Sequence, residues 1–516
     1  MFNKMAQLLE ICAANMTDSY KLTHWRFKPK GLTKVYSYLE ARSDSDFSDE
    51  TCFFGLQYFI KRYLVGQVVT YRDLPRIRAF CKHHFYGVDG LFNENGWKYI
   101  IEKHGGRLPA SIKAVAEGTV MKTGHVMMTI ENTDKECAWL TNFLETILVE
   151  VWNTITVASL SRAMKKNQYV AMKETMDDDA LIKAIMPSRV HDFGFRGVSS
   201  PETAALSGAA HLVNFAGTDT TVGVELITQF YAGNEFREIF HYDSSSTDEE
   251  WNYDRSYELW DAFYAKHMPG FSIPATEHSQ MTIRGPEGEA QVCESLLKEF
   301  PDGFVACVSD SFDLFNCITE IWGNKLKDQV LNRNGVLVVR PDSGDPVVIV
   351  PMVLEAIGSK FGYRTNNKGY KILNDKVRVI QGDGVNVFSH KDILDAIIKA
   401  GWSVENIAFG SGGGLLQKVN RDTFSFAFKA CWAVLDGQGR EVFKRPKTDP
   451  KKNSKRGQLA LVLENGEHKT VPLADASKYE SGDLLSEVFR DGDILVDWMF
   501  DAVRKNAELK ELTSAT

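Results

Sequence analysis

Charged and glycine residues recur where short apolar runs end, and that placement carries the first chemical reading. "AFGSGGGLLQK" sets Gly410, Ser411, Gly412, Gly413 and Gly414 between an apolar run and an apolar helix start. Consecutive glycines let a backbone approach a ligand, and several N–H groups can then point into one concavity. The helix that follows adds its positive end. This is either a phosphate cradle or a tight strand-to-helix turn. No Gly-Lys-Ser/Thr follows, so it is not a Walker loop. "RPDSGDP" places Arg340, a forked donor suited to phosphate, beside Asp342. "QGDG" repeats the theme with Gly382 and Asp383. Two aspartates near a glycine cradle suit a ribose diol or the water shell of a metal; alternatively they are turn formers and caps. "HDFGFRG" offers Phe193 as a stacking face or core residue, with Arg196 three positions on. "GTDT" adds Asp219, an acceptor for a ligand N–H, and "VSDSFD" adds Asp310. In "SIPATEHSQ", His278 is a surface group, a cap neighbour or a group that handles phosphate.

The elements that must position these residues follow a rhythm. Seven apolar runs, from "VHDFGFRG" to "NIAFGSGGG", alternate with amphipathic stretches such as "VFSHKDILDAIIKAGW". Strand followed by helix, many times over, implies a parallel sheet. Seven such units favour an irregular (β/α) barrel of the TIM-like kind, in which the strand C-termini converge on one mouth. Asp192, Arg196, Asp219, His278, Asp310, Arg340, Asp342, Asp383 and the glycine run would all fall on that face.

The expected organisation is an α+β stretch over residues 1–180, a barrel over 181–430, and a closing stretch over 431–516 that completes a second domain from both chain ends. A segment of about 233–264, rich in acidic and aromatic residues, interrupts the barrel; it is a lid, an oligomer contact or neither. Within it, "SSSTDEEW" reads as a helix start, cap candidates followed by acids. "CAWLTNFLETILVEVWNTITVASL" reads as helical, with Trp139, Phe143, Leu148 and Trp152 as core. "AVAEGTVMKTGHVMMTIENT" alternates and carries glycine turns, the pattern of a small antiparallel unit. "GQLALVLENGEHKTVPL" reads as a hairpin, and the chain closes on a helix.

Composition sets the bounds. The 516 residues carry a net charge of -8, with 44% apolar and 25% charged residues, ordinary for a folded enzyme and unlike a nucleic-acid binder. The eight cysteines are scattered, with no CxxC and no close pairing with histidine, so reduced buried thiols are expected and a zinc site is not. The amino terminus lacks an export signal and no stretch approaches a membrane span, so the expected location is cytoplasmic, with no membrane and no nucleic-acid partner.

Taken together, "DSYKLTH", "KVYSYLE", "HDFGFRGVSS", "GTDT", "EHS", "VSDSFD", "RPDSGDP", "QGDGV", "AFGSGGGLLQK" and "KRG" resemble, in this order, the motifs of the nicotinate/nicotinamide phosphoribosyltransferase family, the type II phosphoribosyltransferases. The resemblance spans nearly the whole chain apart from the extra segment. It implies a homodimer with two shared sites and, with Mg²⁺, the reaction of nicotinamide and phosphoribosyl pyrophosphate to nicotinamide mononucleotide and pyrophosphate, in NAD salvage. It implies that Phe193 and a partner's Tyr20 sandwich the base and that Asp219 accepts from the carboxamide. Arg196 and Arg340 fall beside base and phosphates. Asp342, Gly382 and Asp383 fall on the ribose side, with Asp310 as a supporting carboxylate. Gly413 and Gly414 match the phosphate loop. Arg42, Arg421, Lys429, Lys444 and Lys452 match basic positions around the phosphates, some from the partner chain. His278 resembles a histidine that is phosphorylated when ATP, the co-substrate, is hydrolysed; Glu277 or Asp310 would orient it. No residue is assigned as a direct metal ligand. Phe195, Ala427 and Ala306 depart from the family's tyrosine, serine and small hydroxyl residue.

Three alternatives are weighed. A nicotinate-using relative differs in the base it accepts. A non-catalytic phosphoribosyl-binding protein on the same scaffold would not need the strand-end aspartates and arginines. A phosphosugar aldolase or isomerase would call for a strand-end Schiff-base lysine, and none is obvious.

Overall fold

The computed structural model describes residues 12–247, 251–448 and 453–513. The chain divides into two compact units, Met1–Thr156 with Asn420–Asn506 and Val157–Val419 with Ala507–Thr516.

In the second unit the strand-and-helix rhythm becomes a curled parallel sheet of six strands: β1 (Val190–Asp192), β2 (Gly217–Thr218), β3 (Asp302–Val308), β4 (Asn334–Arg340), β5 (Val377–Gln381) and β6 (Ile407–Ser411). Their spatial order is β2-β1-β6-β5-β4-β3, every pairing parallel. Both faces are covered, which is why the strands read as near-continuous apolar runs. Val305, Cys307, Leu337, Val339, Val377, Val379, Ile407 and Phe409 are buried on one face. Ala306, Val338 and Ile380 pack with Phe193 and Ile273 on the other.

The seventh run, "FSIPA", does not form a regular strand. Phe271 bridges Gly217 at one free edge of the sheet and Ala275 bridges Ala306 at the other, each in isolation. Pro274 has no N–H and can only accept, from Ala306 N at 2.8 Å, so a continuous ladder cannot form. The sheet is therefore curled and open along this side, with segment 271–276 laid across the gap.

Helices return the chain after each strand, and their starts are written in the sequence. Helix α1 (Pro201–Leu212) has Pro at its first position, and the Ser200 hydroxyl accepts from Thr203 N. Helix Pro346–Phe361 is capped by Asp345 and helix Val387–Lys399 by a capping box on Asn386.

After β2 and helix α2 (Thr221–Tyr231), the extra segment folds as two helices, α3 (Glu235–Ser245) and α4 (Tyr253–His267). The serine run ends α3 and does not start a helix: the hydroxyls of Ser244, Ser245 and Ser246 donate back to the carbonyls of Phe240, His241 and Tyr242. They thereby add a second donor to carbonyls in the last turns of α3. The acids at 248–250 lie outside the described residues. Asn252 caps α4 by accepting from Arg255 N at 2.8 Å. Asp243 then ties the pair together, accepting from Trp251, Ser256 and Trp260.

The first unit holds a seven-stranded antiparallel sheet drawn from both ends of the chain. Its order is Gln438–Glu441, Ala427–Leu435, Leu32–Glu40, Val126–Asn132, Ala110–Ala114, Ser486–Arg490 and Asp493–Ile494. Leu459–Glu464 and Glu467–Pro472 form the expected hairpin, with Asn465 and Gly466 both at positive φ. Asp491 and Gly492 turn Ser486–Arg490 into Asp493–Ile494 in the same way, a hairpin that precedes the closing helix Phe500–Ala507. Phe143 and Leu148 are buried as expected, whereas Trp139 and Trp152 are half-buried. Among the described residues no helix is long and apolar enough to cross a membrane, and all eight cysteines are free and buried.

Candidate active site

The strand C-termini of the second unit surround a cavity of about 910 Å³. Phe193, Arg196, Asp219, Arg340, Asp342, Gly382, Asp383 and Gly413 all line it. Each follows or ends a strand, so the parallel sheet alone brings them together from positions more than two hundred residues apart.

Phe193 continues β1, its N–H donating to Ser411 O at 2.9 Å. Its ring lies across the ends of β5 and β6. A side chain at Gly410 would overlap that ring, and one at Gly382 would come within 3.3 Å of it. Gly410 therefore makes room for an aromatic platform, a role the sequence reading had folded into the phosphate cradle. Gly412 and Gly413 do face the cavity. Gly414 turns inward, where a Cβ would meet Val385 O at 3.0 Å.

Asp219 follows β2 and accepts from the Ser272 hydroxyl. Burial raises its pKa, while the Ser272 bond and the Arg340 charge oppose the rise. Arg340 ends β4 and lines the cavity, its Nε buried and without a hydrogen-bond partner among the described residues. Its Nη2 stands 3.6 Å from Asp342 Oδ2.

His278 begins the helix His278–Thr282 at the rim, where Glu277 and Asp342 line the cavity. Its Nε2 lies 3.1 Å from Asp310 Oδ1, and its Nδ1 lies 3.9 Å from Asp342 Oδ2. Asp310 stands behind the histidine. Its other oxygen accepts from Asp342 N at 3.0 Å and from Ser343 Oγ at 2.5 Å. Glu277 is the helix cap: it accepts from Ser279 N at 3.0 Å and from the Ser279 hydroxyl. Of the two carboxylates the sequence left open, Asp310 is the one in contact with the imidazole.

The remaining expected residues lie in the first unit. Lys429 is 4.0 Å from Glu145, which also pairs with the buried Lys21 at 2.9 Å. Burial lowers the pKa of Lys429; the Glu145 charge opposes this, while Arg42, Lys21 and Arg421 add to it. Arg42, Arg421 and Lys429 thus form one basic cluster. Arg42 Nε donates to Ser425 O at 3.1 Å. Tyr20 is half exposed and feels the charges of Glu145 and Asp18, which, after burial, raise its pKa. Lys444 donates its N–H to Ser454 Oγ at 2.8 Å, and Lys452 lies outside the described residues.

Several participants escaped the sequence reading. Val198, Ser199, Ser200 and Pro201 also line the cavity, so the start of α1 faces it. The Ser-Pro-Glu cap signature was the available signal. Ser272 and Ser343 had none, since each acts by contact across strands. Lys21 sat inside a quoted motif beside Tyr20, and only its burial against Glu145 distinguishes it.

Comparison with known proteins bears on this arrangement. The family model for the nicotinate phosphoribosyltransferase (NAPRTase) family matches residues 188–493, and that for the nicotinamide phosphoribosyltransferase N-terminal domain matches residues 13–112. The chain is 39% identical over 502 residues to the nicotinamide phosphoribosyltransferase of Xanthomonas campestris pv. campestris, covering 96% of this chain and 98% of that one. It is 30% identical over 526 residues to the nicotinamide phosphoribosyltransferase of Acinetobacter baylyi, with 95% and 96% covered. The crystal structure of nicotinate-nucleotide pyrophosphorylase from Pyrococcus furiosus shares the fold, with a TM-score of 0.56 at 16% identity over 96% of this chain and 95% of that one. The first family model spans every strand around the cavity, so the protein belongs to the nicotinate phosphoribosyltransferase family and is a phosphoribosyltransferase.

Proposed function

We propose that the protein transfers the phosphoribosyl group of phosphoribosyl pyrophosphate to nicotinamide, giving nicotinamide mononucleotide and pyrophosphate in NAD salvage. One observation carries the choice of base: Asp219, fixed by Ser272, faces the same cavity as the Phe193 platform. A carboxylate accepts a hydrogen bond from the amide N–H of nicotinamide and repels the carboxylate of nicotinate. The two relatives above carry the nicotinamide-using name in full, which supports the same reading.

The chemistry needs positioning and charge. As the bond to pyrophosphate breaks, positive charge grows on the ribose ring and negative charge on the leaving oxygens. Arg340 and the Gly412–Gly413 backbone, which line the cavity, would bind those oxygens. Asp342 and Asp383 suit the ribose hydroxyls. They also offer the hard carboxylate oxygens that magnesium takes, so these two residues would hold Mg²⁺. When bound, the ion supplies charge neutralisation for the leaving group. Phe193 holds the base flat, which keeps its ring nitrogen in line with the anomeric carbon.

ATP enters as co-substrate at His278. With Nε2–H donated to Asp310, the neutral ring keeps its lone pair on Nδ1. Nδ1 attacks the terminal phosphorus, the P–O bond to ADP breaks, and water later takes the phosphoryl group, releasing inorganic phosphate. A homodimer in which Tyr20 of the partner subunit covers the base, with Arg42, Arg421, Lys429, Lys444 and Lys452 near the phosphates, completes the proposal.

The test is product formation from nicotinamide and from nicotinate, each with phosphoribosyl pyrophosphate and Mg²⁺, with and without ATP. We expect nicotinamide mononucleotide to form and ATP to raise its yield. Exclusive turnover of nicotinate overturns the choice of base, and no turnover of either overturns the activity.

A further inference from the structure

Three unlike donors meet in the first unit, at residues that none of the family motifs above includes and that do not line the cavity. Helix Glu94–His104 ends on His104, and Gly105, in the left-handed region, turns the chain away at once. Asp134 caps the short turn Lys135–Cys137, its Oδ1 accepting from Glu136 N at 2.8 Å. Cys137 closes the same turn, three residues on, so carboxylate and thiol share one side of it. His104 Nε2 lies 2.9 Å from Asp134 Oδ2. The nitrogen, the carboxylate oxygen and the sulfur all lie within 4.8 Å of one another.

We propose that His104, Asp134 and Cys137 form a binding site for a zinc-class divalent ion, with water as its fourth ligand. Imidazole, carboxylate and thiolate are ligands zinc accepts together, at about 2.0–2.3 Å. A nitrogen and an oxygen held at such distances from one ion sit about 3 Å apart, which is the separation already present between His104 and Asp134. The sulfur is buried, while the imidazole and carboxylate side chains are 25% and 19% exposed, so the open coordination position faces solvent. Tyr99 OH donates to Asp134 Oδ2 at 3.0 Å, the supporting bond that a ligating carboxylate usually has. Charge balances as well: one carboxylate and one thiolate neutralise a divalent ion at a partly buried site. Magnesium does not suit this set, because it prefers oxygen ligands and water. The site is therefore separate from the one proposed at Asp342 and Asp383.

Binding exchanges a proton for the ion. The Cys137 S–H bond breaks, an S–Zn bond forms with the same electron pair, and the proton leaves to solvent. A thiol is mostly protonated at neutral pH, so the thiolate forms as the metal enters. Affinity must then rise with pH, by about tenfold per unit for the single proton released.

The experiment uses the full chain. It is dialysed against Zn²⁺ and its metal content measured; in parallel it is titrated with Co²⁺, whose bond to a thiolate gives a ligand-to-metal charge-transfer band. The parent is expected to hold one Zn²⁺ per chain and to show the band. Cys137→Ser should lose the band, His104→Gln should lose the ion, and Tyr99→Phe should bind roughly 10-fold more weakly. Circular dichroism checks that each variant folds; Tyr99→Phe removes one oxygen and keeps the test open if the others do not. The proposal fails if the parent shows no band, or if Cys137→Ser and His104→Gln retain zinc as the parent does. Either result leaves the three residues as an ion pair beside a buried thiol.

Discussion

His278 is hydrogen-bonded through Nε2, while among the described residues its Nδ1 has only Asp342 Oδ2, at 3.9 Å, and that asymmetry gives it a specific expected behaviour. Asp310 fixes the ring through Nε2 and is itself fixed by Asp342 N and Ser343 Oγ, so Nδ1 is the nitrogen that the proposed phosphoryl transfer would use. Replacing His278 with Ala should lower ATP hydrolysis by at least ~100-fold, the scale of a lost nucleophile or base, and should lower transfer without ATP far less. Asp310→Asn keeps an oxygen for the ring N–H but removes the charge that favours the developing imidazolium; it should slow ATP hydrolysis by roughly 10-fold or more. Unchanged ATP hydrolysis in His278→Ala would take the histidine out of the phosphoacceptor role. How much of this was legible differs residue by residue. That His278 follows an apolar run and opens a new element was visible in the sequence, although the run is not a regular strand. Its partner was not, because Glu277 is adjacent in sequence yet turns to cap its own helix, while Asp310 comes across from a different strand. Cys137 and His104 show the same blindness: thirty-three positions separate them, and only the fold makes them neighbours.

At the scale of elements, the alternation of strand and helix was readable because the strands are largely buried apolar runs and several helix starts, at Ser200, Asp345 and Asn386, carry a cap. What pattern alone could not show was the seventh run, where one proline replaces a ladder with two isolated bridges, and the extra segment, where serines close a helix that they seemed placed to open. That segment supplies none of the described lining of the cavity. The ends of β5 and β6 matter more to the site. Their glycines are where the Phe193 ring rests, and a methyl group at 410 would have to displace it. Gly410→Ala should therefore raise the KM for nicotinamide by roughly 10-fold, the value of about 1.4 kcal/mol of lost base binding. It should leave the KM for phosphoribosyl pyrophosphate much closer to the parent's, and overpacking should cost about 1–3 kcal/mol of stability. Equal rises in both KM values would show that the whole cavity had shifted, and Gly410 would lose its role as the seat of the platform.

Across the whole molecule, acid stability depends on three buried groups in the second unit that pull in opposite directions. His390 is fully buried, its Nε2 3.1 Å from Gln168 Oε1, and burial takes its pKa down to about 3. His191 is lowered to about 4, by burial first and then by the Arg189 charge. Both are neutral when folded and can protonate near pH 6.5 when unfolded, so their contribution is present above about 6.5 and is lost as pH falls toward 4. Asp192 runs the other way. Burial raises it to about 7, against the bond from Gly194 N at 2.7 Å. Its contribution is complete below its unfolded value of 3.8 and is lost as pH rises through 7. Each group is worth at most about 1.4 kcal/mol per pH unit inside its window. On moving from pH 7 to pH 4, His390→Gln should therefore gain melting temperature relative to the parent, and Asp192→Asn should lose it. Thermal melts of the three proteins at pH 4.5, 5.5, 6.5 and 7.5 give the comparison, and differences between variants cancel the surface carboxylates that all share. The two difference curves should tilt in opposite directions. Curves that run parallel to the parent's would mean that these interior groups take up and release their protons at their ordinary values, and that burial around β1 and β6 is looser than the packing of His390 against Phe409 at 4.6 Å implies.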